Sequence, residues 1–242
     1  MKHVLFFMVL GMVLVSASCS PDQGQATEEK MDVKQEEVSP KVEEEKRDDD
    51  EAPEKYRIQL GEETFTFDLK KHPILNNFLS ASSNPGAKLA TMTFIPITMN
   101  EHSDKALIEF ACHEGRCSYL LIDFSEEVSI LMADLAKLEQ VQVSHDSLIA
   151  MKFSRNNQQG VTTNHVEAAD LKTLSEKNFS IDSDAYPGVS YEAYLFPIEN
   201  MKWTESGELA IHIPKVENYA SYNLENWKSK GSPTTELIMT IN

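Results

Sequence analysis

The chain is 242 residues long and acidic, with 39 Asp and Glu against 22 Lys and Arg and a formal net charge of −17. That balance argues against nucleic acid as a partner, because neutralising phosphates needs basic patches and none stands out. No stretch beyond the N-terminal leader approaches eighteen consecutive apolar residues, so no further membrane-spanning helix is expected.

Lys2 and His3 precede an apolar run from Val4 to Val15, broken only by Gly11. Twelve residues rise about 18 Å as a helix, well short of a hydrocarbon core of roughly 30 Å. A secretory leader fits that length better than a membrane span. The adjoining Leu14-Val15-Ser16-Ala17-Ser18-Cys19 resembles the lipobox of bacterial lipoproteins, with Ser16 where Leu or Val is more usual. The resemblance implies that residues 1–18 form a signal peptide, and that Cys19 becomes an N-terminus carrying diacylglyceryl and further acyl chains such as palmitate. Two or three buried chains hold a protein stably at a bilayer. The expected location is extracytoplasmic and membrane-anchored, at a Gram-positive cell surface or on a periplasm-facing Gram-negative membrane. Lysines outnumber arginines 18 to 4, which points towards an AT-rich, Gram-positive source. In a Gram-negative host, Ser20 after the cysteine would permit outer-membrane sorting.

Residues 19–55 are expected to form a lipid-attached, disordered acidic linker. Between Ser20 and Lys55 lie 14 Asp or Glu against 6 Lys or Arg, and no aromatic residue. Such a segment buries too little apolar surface to offset the entropy of ordering. The runs Glu43-Glu44-Glu45 and Asp48-Asp49-Asp50-Glu51 repel one another and lengthen it. A helix is the competing reading, but Pro40 and Pro53 interrupt it and it has no apolar stripe to dock.

Residues 56–242 carry a net charge of −10 and read as a mainly β, antiparallel globular domain. Tyr56 to Leu60 and Thr64 to Leu69 flank Gly61 as a hairpin. His72 to Ser80 reads as a short helix, with Pro73 acceptable in its first turn. Ala106 to Cys112 and Cys117 to Phe124 form the clearest hairpin, joined by His113-Glu114-Gly115-Arg116. Gly115 supplies the positive φ of a tight turn. Cys112 and Cys117 then face each other across two strands, at a separation compatible with a disulfide. Reduced thiols or a redox pair are the alternatives. Ser129 to Leu138 reads as a strand ending in a turn or short helix. Strands follow at Leu148 to Ser154 and His165 to Ala169, and a second short helix around Ser221 to Lys228.

Ser144-His145-Asp146-Ser147 before Leu148-Ile149-Ala150 and Phe153-Ser154 resembles one repeat of a β-propeller of the TolB or WD type. Trp203-Thr204-Glu205-Ser206-Gly207-Glu208-Leu209-Ala210-Ile211 and Ser103-Asp104-Lys105-Ala106-Leu107-Ile108 look similar. The turns begin near residues 103, 144 and 204, and only the first spacing matches a blade of about 40 to 45 residues. A repeat-built domain, propeller-like or a sandwich, is the expectation.

No Gly-x-Ser-x-Gly elbow, His-Glu-x-x-His, phosphate loop or Rossmann fingerprint is present. The histidines, including the turn residue His145, are scattered, so no metal site or cofactor is expected. Asp182-Ser183-Asp184 before Tyr186-Pro187-Gly188 has carboxylates two apart, but lacks the glycine and glutamate of a calcium loop. Aromatics concentrate late in the chain: Tyr186, Tyr191, Tyr194, Trp203, Tyr219, Tyr222 and Trp227 lie within 42 residues. Exposed Tyr and Trp commonly mark binding surfaces. Trp227, Tyr222, Tyr219, Tyr191 and Tyr194 are therefore the candidate surface, and Trp203 is assigned to the core. The chain is expected to be a non-enzymatic binding or assembly module for an envelope protein or glycan. The alternatives are an envelope hydrolase using Asp182, Asp184 or Glu192, and a sensor acting on a membrane partner.

Overall fold

A computed structural model describes residues 40–44, 55–60, 62–97, 102–158, 160–181 and 194–242. All belong to one compact unit, Met31–Asn242, and the other unit, Met1–Lys30, lies outside the described residues. The expected signal peptide, Cys19 and most of the expected acidic linker also lie outside them.

The first sheet contains β1 (Lys41–Glu44), β2 (Lys55–Leu60) and β3 (Glu63–Asp68), antiparallel and in that order. Its logic is alternation: Tyr56, Ile58 and Leu60 point inwards while Lys55, Arg57 and Gln59 point out. The strand β1 falls within the span expected as linker. Val42 packs against the first core, and backbone pairing from Lys41↔Gln59 to Glu44↔Tyr56 supplies what the polar side chains cannot. A 3-10 turn, Leu69–Lys71, leads into α1 (Pro73–Ser80) and α2 (Pro85–Leu89). Pro73 starts the first helix, and the Asn84 side chain caps the second by accepting from the Ala87 N–H at 2.9 Å.

The largest sheet has seven antiparallel strands paired in sequence order. They are β4 (Thr93–Pro96), β5 (Lys105–His113), β6 (Arg116–Asp123), β7 (Val128–Val143), β8 (Leu148–Asn156), β9 (Thr162–Asp170) and β10 (Ser175–Lys177). The hairpin between β5 and β6 closes on two residues, Glu114 (φ 52°) and Gly115 (φ 73°). That is tighter than the four-residue loop expected. The third sheet is ordered β11-β14-β13-β12, from β11 (Phe179–Ile181), β12 (Asn200–Trp203), β13 (Leu209–Pro214) and β14 (Thr234–Ile241). Between β13 and β14 sits α3 (Ser221–Ser229), matching the helix expected there.

The turn or short helix expected within Ser129 to Leu138 does not form. β7 runs unbroken for 16 residues, but from Val128 to Ala136 it pairs only with β6 and from Lys137 to Val143 only with β8. Leu135 (φ 46°) and a register shift near Glu139 absorb the change of direction. The seven-stranded sheet therefore doubles back on itself. Tyr119 of β6 lies 5.1 Å, ring to ring, from Phe153 of β8, and its hydroxyl accepts from the Leu138 N–H.

Three apolar cores follow. The first joins the small sheet and both early helices to Ala106, Ile108, Leu120 and Ile122. The second lies inside the fold of β7, between Leu107, Tyr119 and Leu121 on one side and Ile149, Met151 and Phe153 on the other. The third packs Ala150, Val166 and Ala168 against the last sheet through Phe196, Ile198, Ile211 and Leu237.

Turn chemistry recurs. In three loops the backbone N–H of a first residue (Ser144, Asn157 or Thr204) donates to the carbonyl four residues on. The side-chain oxygen of that first residue accepts the returning N–H, from Leu148, Val161 or Glu208 respectively. The fourth residues, Ser147, Gly160 and Gly207, have φ between 66° and 81°. A second type also appears twice. Asp123 caps Ser125 and Glu126, and Asp170 caps Lys172 and Thr173, each before a residue of positive φ. The next contact is shared too: Phe124 N–H reaches the Asp104 carbonyl, and Leu171 N–H reaches that of Ser147.

Candidate functional site

Alternation along β8 sends Ala150, Lys152 and Ser154 to the side of the third core. Ala150 is enclosed there, whereas Lys152 and Ser154 reach past its rim. Asn164 stands opposite Ser154 on β9. Its side-chain oxygen accepts from the Ile198 N–H at 2.7 Å, and its own N–H pairs with the Phe196 carbonyl. Lys152 Nζ donates to the Ile198 carbonyl at 3.1 Å. Two polar side chains thus pin the segment Phe196–Ile198 against the sheet.

That pinning leaves a groove of about 620 Å³. Its lining includes Glu139 on β7, Thr162 at the start of β9, Pro197 and Glu199, and Ser221, Leu224, Glu225 and Lys228 on α3. Burial pushes the Lys152 ammonium below the ordinary lysine range, against the opposing pull of Glu139 and Glu199. Burial alone would raise Glu139, but hydrogen bonds from Lys137 (2.9 Å) and Ser154 (2.8 Å), with the lysine charges, hold it below the usual carboxylate range. The groove therefore offers carboxylates, ammonium groups and hydroxyls around an apolar strip of Pro197 and Leu224.

The expected aromatic surface is not one surface. Trp227 is 5% exposed and borders the groove, with its indole N–H donated to the Pro233 carbonyl. Burying most of the ring on α3 gains more than exposing it. Tyr219 is half-buried against Phe196, and burial raises its hydroxyl pKa. Tyr194 is half-buried with Arg155 4.3 Å above its ring and His165 beside it. Among the described residues of that set, only Tyr222, 71% exposed, stands in solvent. Tyr191, Asp182, Asp184, Tyr186 and Glu192 lie outside the described residues. Trp203 is half-buried on the third core, and its indole donates to the Gln142 carbonyl.

Cys112 and Cys117 sit at disulfide distance, with Sγ atoms 2.17 Å and Cα atoms 4.0 Å apart. A bulge between Phe110 and His113, with Ala111 at φ 52°, brings Cys112 opposite its partner. Glu109 completes a group of three potential metal ligands, but in this pairing neither sulfur is a thiolate. His145 is exposed at its turn, as expected.

Lys152, Asn164, Glu139 and Glu199 were not anticipated. The one usable signal was Lys152, a lone charge inside the otherwise apolar run from Leu148 to Phe153. No known protein family, curated protein or solved structure matches this chain.

Proposed function

We propose that this chain is a lipid-tethered, extracytoplasmic binding module whose groove beside α3 takes a segment of an envelope polymer or protein. The groove carries the reading: its floor is pinned by buried polar groups, and its rim mixes charge, hydroxyls and a short apolar strip. The lipobox-like sequence ending at Cys19 supports the tether, and the acidic stretch after it supports a stand-off from the bilayer. The recurring turns at Ser144, Asn157 and Thr204, and the paired Asp123 and Asp170 turns, support a repeat-built scaffold of blade-like sheets. In that scaffold the groove is the mouth between two neighbouring sheets.

The test is binding of the full chain to isolated envelopes. Thr162→Trp and Glu225→Arg alter exposed rim positions and leave the core untouched. Each is expected to weaken binding at least tenfold, while Tyr222→Ala leaves it within twofold. Loss with Tyr222→Ala and none with the groove variants would overturn this reading.

A further inference from the structure

The edges of the three sheets are not alike. β1, β4, β10, β11 and β12 are three or four residues long, and β3, the other edge of the first sheet, is six residues with Glu63 and Asp68 at its ends. Most carry charge or proline: Lys41 and Glu43 on β1, Glu63 and Asp68 on β3, Pro96 on β4, Glu176 and Lys177 on β10, and Lys202 on β12. Short, charged or proline-bearing edges resist pairing with another chain. The first half of β7 breaks the rule. It pairs with β6 on one side, and among the described residues no strand pairs with the other. Val128-Ser129-Ile130-Leu131-Met132-Ala133 contains no charge, proline or glycine. Val128 is 42%, Leu131 37% and Leu135 49% exposed, large aliphatics on the two faces of the strand beside an open backbone edge.

We infer that this edge pairs with the same edge of a second copy, antiparallel about a two-fold axis at Leu131. A partner strand must itself be uncharged and open over about six residues. Among the edges above, only β7 offers that. Two-fold pairing sets Leu131 against Leu131, Ile130 against Met132 and Ser129 against Ala133, so apolar residues meet on both faces. The ends suit the same arrangement. Glu126 and Glu127 open the strand, with Lys71 3.7 Å from the latter, and Lys137, itself bonded to Glu139 at 2.9 Å, closes it together with the Arg155 guanidinium on the Asp134 carbonyl. Antiparallel pairing brings the acidic end of one copy towards Lys137 and Arg155 of the other. The result is one sheet continuous through both copies, independent of the groove.

Cross-linking of the full chain in native envelopes tests this. Facing residues on antiparallel strands lie about 4.5–5.5 Å apart at Cα, within disulfide reach. Leu131→Cys under mild copper-phenanthroline oxidation is expected to give a dimer band, and Ile238→Cys, equally exposed on the third sheet, none. Sedimentation of the detergent-purified wild type should show a dimer that Leu131→Lys and Val128→Lys each convert to monomer, with unchanged melting. A monomeric wild type, equal dimer from Ile238→Cys, or a Leu131→Cys adduct of any mass other than twice the chain would each overturn the inference.

Discussion

His72 is a buried base without a charge partner strong enough to keep it protonated. It stacks on Phe67 at 4.7 Å and bonds Ser129 at 3.0 Å, and burial lowers its pKa to about 4 although Glu127 and Asp68 pull the other way. The unfolded chain binds that proton from about pH 6.5 downwards, so the stabilisation is complete above 6.5 and lost as pH falls towards 4. Over that window His72 should remove roughly 3 kcal/mol. Urea titrations at pH 7 and pH 4.5 should show a steeper loss for wild type than for His72→Gln. Lys105 is the opposite case. Its ammonium lies 2.6 Å from Asp123 and 3.1 Å from Asp104 with both Lys105 and Asp123 buried. Burial alone would lower its pKa, but the two aspartates hold it above the usual range. Lys105→Ala leaves Asp123 buried without its counter-charge, though still capped by Ser125 and Glu126, and should cost about 3–5 kcal/mol by chemical denaturation. Neither role is legible in the sequence, because each turns on a distant partner, Ser129 for His72 and Asp123 for Lys105, 57 and 18 positions away.

At the scale of elements, local chemistry was readable wherever one residue type decided the outcome. Gly115 announced the turn between β5 and β6, Pro73 the start of α1, and the hairpin flanking Gly61 the pairing of β2 with β3. The cysteines were legible for the same reason: a short hairpin leaves them nowhere to be except opposite each other. Closing so short a loop should stabilise the fold by about 2 kcal/mol in the chain-entropy account. Cys112→Ser with Cys117→Ser should lower the free energy of unfolding by that much without altering far-UV circular dichroism. β7 was misread because Asp134 and Lys137 interrupt the period-two pattern where the strand changes partners. Trp227 was misplaced for a related reason. Its neighbours Asn226 and Lys228 are polar, yet a helix turns every fourth residue inwards, and Leu224 and Trp227 share that face.

The molecule as a whole is a run of neighbours. From β4 to β10 every strand pairs with the one before and after it in sequence, and mostly local pairings favour rapid folding. The exception is the last sheet. There β14 inserts between β13 and β11, so that Phe179 meets Ile241 across some sixty residues of chain. A chain made N-terminus first can assemble the doubled sheet hairpin by hairpin as it emerges from the ribosome. The third core would stay open, however, until Thr234–Ile241 had cleared the exit. The final eight-residue strand is thus the latch of the whole structure. Chains interrupted before it would leave Met201, Ile211 and Phe179 open to proteases and aggregation.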